Sequence, residues 1–338
     1  MTKQLVPVIG VFYNESDYLN DWLECVVSQC NGEITALPII VTNHEAIESE
    51  RIHDLVENFR NDTQQQVELV PLGTNEGHSF AFNRGIEFVT KKLPDAEWIV
   101  SLDPDARLAD RCIELMLNAA HTKQDCGMVT PMVLQCKRDS AELAKLWRAA
   151  VSEKMKVLHA GHYPKRVDLP KNNFPVYWHS HFDGKPLDDA RTRAKTENVF
   201  TPCFCAGLWS KRMIDHIGLI DERQPRTLNC GEYGYHANLR GYTCELAADA
   251  VAFHPRDCTK FWKTQVFDEE RASGVEGNAT RFQHAQGLIA MKYFPDANRL
   301  TCMTSDSRST TWPQYFPDLE EVEPAYSEDI RAQFFATR

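Results

Sequence analysis

The feature that most constrains this chain is an alternation. Four nearly continuous apolar runs, Val6 to Tyr13, Leu37 to Asn43, Val67 to Gly73 and Trp98 to Asp103, are separated by segments whose apolar residues recur at helical spacing. A run without a polar face belongs to a strand covered on both sides, and such strands alternating with helices form a parallel α/β sheet. After the first run, Asn14-Glu15-Ser16-Asp17 reads as a helix cap, and Leu19, Leu23, Val26 and Val27 follow on one helix face. Ile52 to Phe59 repeats the pattern with Leu55 and Val56 inward. Behind the third run, Asn75, Gly77 and Gly85 punctuate a helix that must begin near Ser79, with Phe80, Phe82 and Ile86 to Val89 on its apolar side. A helix start behind a glycine turn offers unpaired amides to an anion, or is simply a capped helix packed on the sheet.

Beyond the fourth run the pattern predicts a helix over Leu108 to Ala120 and a strand at GMVTPMV. From Lys137 to Asn198 the period weakens. KLWRAAVSEKMKVL reads as helical, but the proline-, aromatic- and histidine-rich stretch after it is a long loop of the kind that is usually functional or disordered. Its His159, His162, His179 and His181 lack any carboxylate–histidine spacing, so exposed or acceptor-contacting histidines are expected rather than a metal cluster. VFTPCFCAGLWS reads as a strand that turns at Gly207, followed by the helix KRMIDHIG and by LIDE. Tyr233, His236, Ala237 and Arg240 recur at helical spacing, with Glu232 in the first turn and Gly241 closing the helix. AVAF, Ala250 to Phe253, then delivers His254 and Pro255 to a loop. ATRFQHAQGLIAMKYF is the one convincing helix of the remainder, before an acidic tail.

The most informative stretch is WIVSLDPDARL. Pro104 cannot continue a strand ladder, so Asp103 and Asp105 leave the strand on its carboxyl-end loop, beside the crevice where ligands of open α/β sheets sit. Mg²⁺ and similar hard cations take carboxylate oxygens together with substrate phosphates. The pair suits a metal–diphosphate grip, although Asp and Pro also make ordinary solvated turns.

Composition narrows the function class. Among 338 residues, 43% are hydrophobic and 25% charged, which is ordinary for a soluble globular protein. The formal charge of −11 argues against a general nucleic-acid surface and against a basic, anionic-lipid-seeking protein. No apolar run nears the roughly 20 residues of a membrane span, and the first 15 residues are too soon interrupted for a signal peptide. A cytoplasmic chain is the expectation, with peripheral association at the inner membrane face left open. Eleven cysteines scattered through apolar segments suit reduced thiols. Cys203 and Cys205 flank Phe204 with no second Cys/His pair at finger spacing, so no zinc site is expected.

Taken in order, these elements resemble the family 2 glycosyltransferases of the A-type fold, especially a rhamnosyltransferase-like branch. VIGVFYNESDYL is similar to that family's first strand and nucleotide-binding turn, NEGHSFAFNRGI to its asparagine-glycine-rich helix motif, and SLDPDA to its metal-binding aspartate motif. CAGLWSKRMIDHIGLIDE resembles the acceptor-side glycine turn, helix and Asp-Glu ending. EYGYHANLRGY stands where the family's acid-bearing helix stands, and VAFHP where a strand ends in a metal-side histidine. Two departures are visible. IIVTNHE lacks the base-contacting aspartate usual in the second strand, so Thr42 or Asn43 stands in, and the usual pair of adjacent acids is reduced to Gly231-Glu232.

The resemblance implies a Rossmann-like, mostly parallel sheet with helices on both faces. It implies a catalytic domain over residues 1–258, with a nucleotide-sugar half to about 135, an irregular insertion at 137–198 and an acceptor-side half at 199–258. Residues 259–338 are a C-terminal extension. It further implies transfer of a sugar from a nucleotide diphosphate sugar to a hydroxyl on a glycan or lipid-linked glycan, with no role for nucleic acid. Mn²⁺ or Mg²⁺ would be held by Asp103, Asp105 and His254; for His254 a strand-end cap is the competing role. Glu232, ahead of Asp221 and Glu222, is the implied general base, against simple stabilisation of a helix N-terminus. Phe12, Asn14, Glu15, Thr42 and Asn43 are the implied base and ribose contacts, with Asn75, Gly77, Asn83 and Asp103 around the sugar nucleotide; turn and cap roles compete at several of these. Arg84 pairs with phosphate or is an exposed helix arginine. One base and no enzyme nucleophile would invert the anomeric centre. Nucleotidyl transfer to a sugar phosphate and a non-catalytic nucleotide-sugar or glycan-binding module are the alternatives.

Overall fold

Each of the four apolar runs forms a strand, and the first three crossovers are helical. The computed structural model describes residues 3–13, 15–43, 46–75, 77–137, 139–165, 177–180, 182–194, 199, 201–222 and 229–255. Asn14, His181, the helix expected at 279–294 and the extension over 259–338 lie outside them. The first part of the chain runs β1 (Gln4–Phe12), α1 (Leu19–Ser28), β2 (Ile34–Thr42), α2 (Ala46–Thr63), β3 (Glu68–Pro71), α3 (His78–Lys92) and β4 (Trp98–Leu102). It continues through β5 (Arg107–Leu108), α4 (Cys112–Ala120), β6 (Cys126–Cys136), α5 (Ser140–Leu146), β7 (Val157–His159), β8 (His162–Lys165), β9 (Tyr177–Ser180) and α6 (Leu187–Ala194). It closes with β10 (Ala206–Ser210), α7 (Lys211–Ile217), α8 (Asn229–Leu239) and β11 (Thr243–Pro255).

The main sheet has the order β3-β2-β1-β4-β10-β6-β11-β5, with β7 added beside β6. β3, β2, β1 and β4 are mutually parallel, and β6 and β11 run the same way, while β10 and β5 are antiparallel to their neighbours. The alternation of side chains along β1 assigns the two faces. Val6, Val8 and Phe12 join the core beneath α1, α2 and α4; Ile9 and Val11 join the one beneath α3, α7 and α8. A third apolar cluster, with Leu143, Val157, Leu187 and Phe253, covers the far edge.

β5 decides where the site forms. The chain leaves β4 at Leu102 and re-enters the sheet on the other side of β10 and β6, pairing Leu108 with Ala252 and Arg107 with Phe253 of β11. The four strand intervals from β4 to β5 would amount in a flat sheet to about 19 Å, more than a loop folded into a turn can span. The sheet curls, and the aspartate loop straps β4 to β11 across its carboxyl end.

Several expectations are corrected. Leu108 starts no helix: it lies in β5, and the helix begins at Cys112. The helix expected over 145–158 ends at Leu146, because Val157 is drawn into a strand against β6. Gly207 lies inside β10 rather than in a turn; an added Cβ would sit 3.0 Å from Pro202 Cβ, so the glycine serves the close return of the 202–205 segment. β11 extends well beyond Ala250 to Phe253, and His254 belongs to it rather than to a loop. β6 carries Pro131 in its middle, where a ladder donor is missing; opposite it β11 shifts register between Ala247 and Val251.

Candidate active site

At the end of β4 the chain turns on Pro104. Asp103 N–H donates to Cys205 O at 3.0 Å, and Ala106 N–H donates back to Asp103 O at 2.9 Å. Arg107 clamps this turn from beneath with a side chain of 0% exposure. Its Nη1 donates to Pro104 O (2.7 Å) and Ala106 O (2.6 Å), its Nη2 to Tyr18 O (3.0 Å) and its Nε to Asp21 Oδ2 (2.5 Å). Asp21 also accepts from Trp147 Nε1 and Arg148 Nη1, each at 3.0 Å. Sequence reasoning passed over Arg107; its one signal is a charge flanked by apolar Ala106 and Leu108.

Strapped in this way, the two aspartates meet the end of β11. His254 Nε2 lies 3.3 Å from Asp105 Oδ1 and 3.7 Å from Asp103 Oδ2. From the other side His78, at the start of α3, places Nε2 3.8 Å from Asp103 Oδ1, a neighbour the sequence did not single out. Asp105 and His254 are buried, whereas 30% of the Asp103 side chain is exposed, so the cluster opens on the Asp103 side. Burial and the nearby Asp105 carboxylate push Asp103 up to about 7, against the opposing pull of His254. For His254 burial works downward, but the charge and hydrogen bond of Asp105, with Asp103 behind them, raise it to about 9. Two acids crowded around one imidazole make a charge pattern that a bound cation would relieve.

One ligand atom from each of Asp103, Asp105 and His254 lies within 4.8 Å of the others. Two carboxylate oxygens and one imidazole nitrogen with an open side fit a divalent ion that also binds a phosphate oxygen, and the nitrogen suits Mn²⁺ better than Mg²⁺.

The remaining site residues fall into two groups. Glu15, Thr42 and Asn43 stand at the carboxyl ends of β1 and β2, beside the aspartate loop's strand. Glu15 accepts from Tyr13 N–H (3.3 Å), and Asn43 Nδ2 donates to Asn75 Oδ1 (2.9 Å), which also accepts from Gly77 N–H (3.2 Å). That link ties the end of β2 to the loop before α3, where Gly77 adopts φ 91 at the helix N-cap.

Phe12 and Asn83 are placed differently. Phe12 is fully buried, edge-on to Trp22 at 5.4 Å, and is a core residue. Asn83 is 1% exposed; it donates to Ile220 O (2.8 Å) and Glu222 Oε1 (3.0 Å) and accepts from Ile220 N–H (3.0 Å), so it latches α3 to the segment after α7. Arg84 pairs with Glu222 (2.9 Å) and Glu87 (2.8 Å). Glu222 is therefore engaged by α3, and Asp221, half-buried, lies beside it. Glu232 is 1% exposed in the first turn of α8. That turn docks on the start of α3, where Asn229 Nδ2 donates to Ser79 Oγ at 2.9 Å, next to His78.

His159 Nε2 lies 3.1 Å from Cys205 Sγ. The side chains of His162 and His179 lie outside what is described. A cavity of about 530 Å³ lined by Gln124, Asp125, Arg212, His216, Arg240, Gly241 and Tyr242 opens at the start of β6, the opposite end of the sheet from the aspartates.

The family model "Glycosyl transferase family 2" matches residues 8–218, more than half of the chain. The chain belongs to glycosyl transferase family 2. Among solved structures, this family 2 chain resembles GalNAc-T7 with UDP, GalNAc and Mn²⁺ at a TM-score of 0.54 and 12% identity. That alignment covers 89% of this chain and 59% of the other, so the chain spans rather more than half of that protein's length. The likeness establishes the A-type glycosyltransferase fold. Two further matches are weaker in shape. The mannosyltransferase PcManGT from Pyrobaculum calidifontis, in complex with GDP-Man and Mn²⁺, aligns at a TM-score of 0.49 and 14% identity over 100% of this chain and 80% of that one. S. aureus TarS 1-349, in complex with UDP, aligns at 0.45 and 11% over 87% and 73%. The chain has no match among the curated proteins. Among the described residues no helix is long and apolar enough to cross a membrane.

Proposed function

We propose that the protein is a metal-dependent glycosyltransferase that moves a sugar from a nucleotide diphosphate sugar to a hydroxyl of a glycan or lipid-linked glycan. The observation that carries this reading is the convergence of Asp103, Asp105 and His254 at the carboxyl end of a curled α/β sheet. Family membership and fold support it. Residues 1–258 form the catalytic domain in this reading, and the enzyme works in the cytoplasm or at the inner face of a membrane. The motif resemblance to the rhamnosyltransferase-like branch favours a hexosyl or deoxyhexosyl donor.

Asp103, Asp105 and His254 would hold Mn²⁺ or Mg²⁺, which supplies a Lewis acid for the departing diphosphate. Glu15, Thr42 and Asn43 would contact base and ribose, and the Asn43–Asn75–Gly77 link would shape the wall beside the sugar phosphate. Glu232 would accept the proton of the acceptor hydroxyl as it attacks, inverting the anomeric centre; its place on α8, docked against α3 beside His78, supports this role.

The test is calorimetric binding of a panel of nucleoside diphosphates with and without Mn²⁺, followed by donor turnover. Metal-dependent binding that Asp105→Ala abolishes, with Glu232→Gln sparing binding and removing transfer, is expected. No metal-dependent binding by any nucleotide overturns the reading. Release of pyrophosphate would replace it with nucleotidyl transfer.

A further inference from the structure

Beside the aspartate loop lies a second cluster of ligand atoms that the proposed transfer does not use. Cys203 and Cys205 sit in the turn before β10, and His159 ends β7 on the neighbouring strand pair. One ligand atom from each of the three lies within 4.8 Å of the other two, and His159 Nε2 reaches Cys205 Sγ at 3.1 Å. Cys230, in the first turn of α8, places its thiol beside Cys203. His159 and Cys205 are buried, and Cys203 and Cys230 are half-buried.

We propose that His159, Cys203 and Cys205 form a structural Zn²⁺ site, with the Cys230 thiol beside Cys203 as the nearest fourth ligand. A tetrahedral zinc with sulfur at about 2.3 Å and nitrogen at about 2.0 Å sets its ligand atoms roughly 3.5 to 3.8 Å apart, within the range this cluster spans. Two thiolates and one imidazole, with a third thiol adjacent, are a soft donor set that selects zinc over the oxygen-seeking ions suited to the aspartates. The expectation that the cysteines bind no zinc rested on the lack of finger spacing; the missing ligands come from 44 residues upstream and 25 downstream in sequence, where only folding brings them close.

The site has a mechanical consequence. Cys205 O accepts the Asp103 N–H, and Cys230 lies two residues before Glu232. A zinc held by His159, Cys203 and Cys205 anchors the turn beside the donor-side aspartates to β7, and with Cys230 as fourth ligand it would also tie that turn to the helix bearing Glu232.

The full-length chain, expressed with zinc and purified without chelator, is expected to carry one zinc per chain by mass spectrometry of the metal. Asp105→Ala should carry the same amount, which discounts the carboxylate site, while Cys203→Ser and Cys205→Ser should each lose at least tenfold. Cys30→Ser, outside the cluster, should retain it. Should the cluster variants fail to fold, cobalt reconstitution of the wild-type chain decides: a thiolate-to-cobalt charge-transfer band in the near ultraviolet upholds the site. A folded cobalt-loaded protein without that band, zinc content indifferent to Cys205→Ser, or a Cys203–Cys205 disulfide in anaerobically purified protein overturns it.

Discussion

Arg107→Met separates the clamp beneath the aspartate loop from the groups above it. Methionine fills much of the same volume but returns none of the donors that now reach Pro104 O, Ala106 O, Tyr18 O and Asp21. Three carbonyls, two of them buried, lose a charged donor, and hydrogen bonds to charged groups are each worth about 1.5–3 kcal/mol. Asp21 keeps Trp147 and Arg148, so it is not stranded. Removing one member of a buried ion pair costs about 3–5 kcal/mol, and that range is the expected loss here once the retained packing is allowed for. Against a typical total of about 5–15 kcal/mol the effect is large. The assay is urea unfolding followed by the fluorescence of the seven tryptophans, paired with calorimetric Mn²⁺ titration of the folded variant. The midpoint should fall and Mn²⁺ affinity should drop at least tenfold, because the Pro104 turn that presents both carboxylates is no longer held. Arg107→Lys keeps the charge but not the planar fork, and should fall between the two. A midpoint change worth less than about 1 kcal/mol together with unchanged Mn²⁺ affinity would refute the clamp, since buried orphaned carbonyls cannot be that cheap.

Three further outcomes are expected. Gly234→Ala places a Cβ 2.5 Å from Thr201 Cβ, which should cost about 1–3 kcal/mol of overpacking and lower turnover more than donor affinity, because the displaced helix carries Glu232; a kcat and Kd pair measures this. Asn83→Ala strands Ile220 N–H and O, at about 1–3 kcal/mol for each group left unsatisfied, yet should spare nucleotide affinity; a selective loss of donor binding would return Asn83 to the donor wall. His254→Ala should weaken Mn²⁺ binding at least tenfold by titration, whereas retained affinity would make His254 a strand-end cap.

The parallel half of the fold is legible because its strands carry no polar face. Val6 to Phe12 and Ile34 to Thr42 are buried over nearly their whole lengths, so apolar run length alone marks them. The antiparallel insertions are not. β5 is two residues long and β10 contains a glycine, and both are strands only because β11, β4 and β6 supply their partners. Phe12 and Asn83 carry side chains that suit a ligand pocket as well as a core or a latch. Only their neighbours, Trp22 for one and Ile220 for the other, decide between the two.

The carboxylate pair at Asp103 and Asp105 was set by local chemistry: a proline stops a ladder, and two acids one residue apart must share a turn. What completes that pair required the whole molecule. His254 follows the turn by some 150 residues and reaches it because β5 pairs with β11; His159 reaches Cys205 by the pairing of β7 with β6. Periodicity reports which face of a segment is buried, and it is silent about which distant strand end will lie beside it. That proximity is settled by sheet order and curl, which depend on all the strands at once.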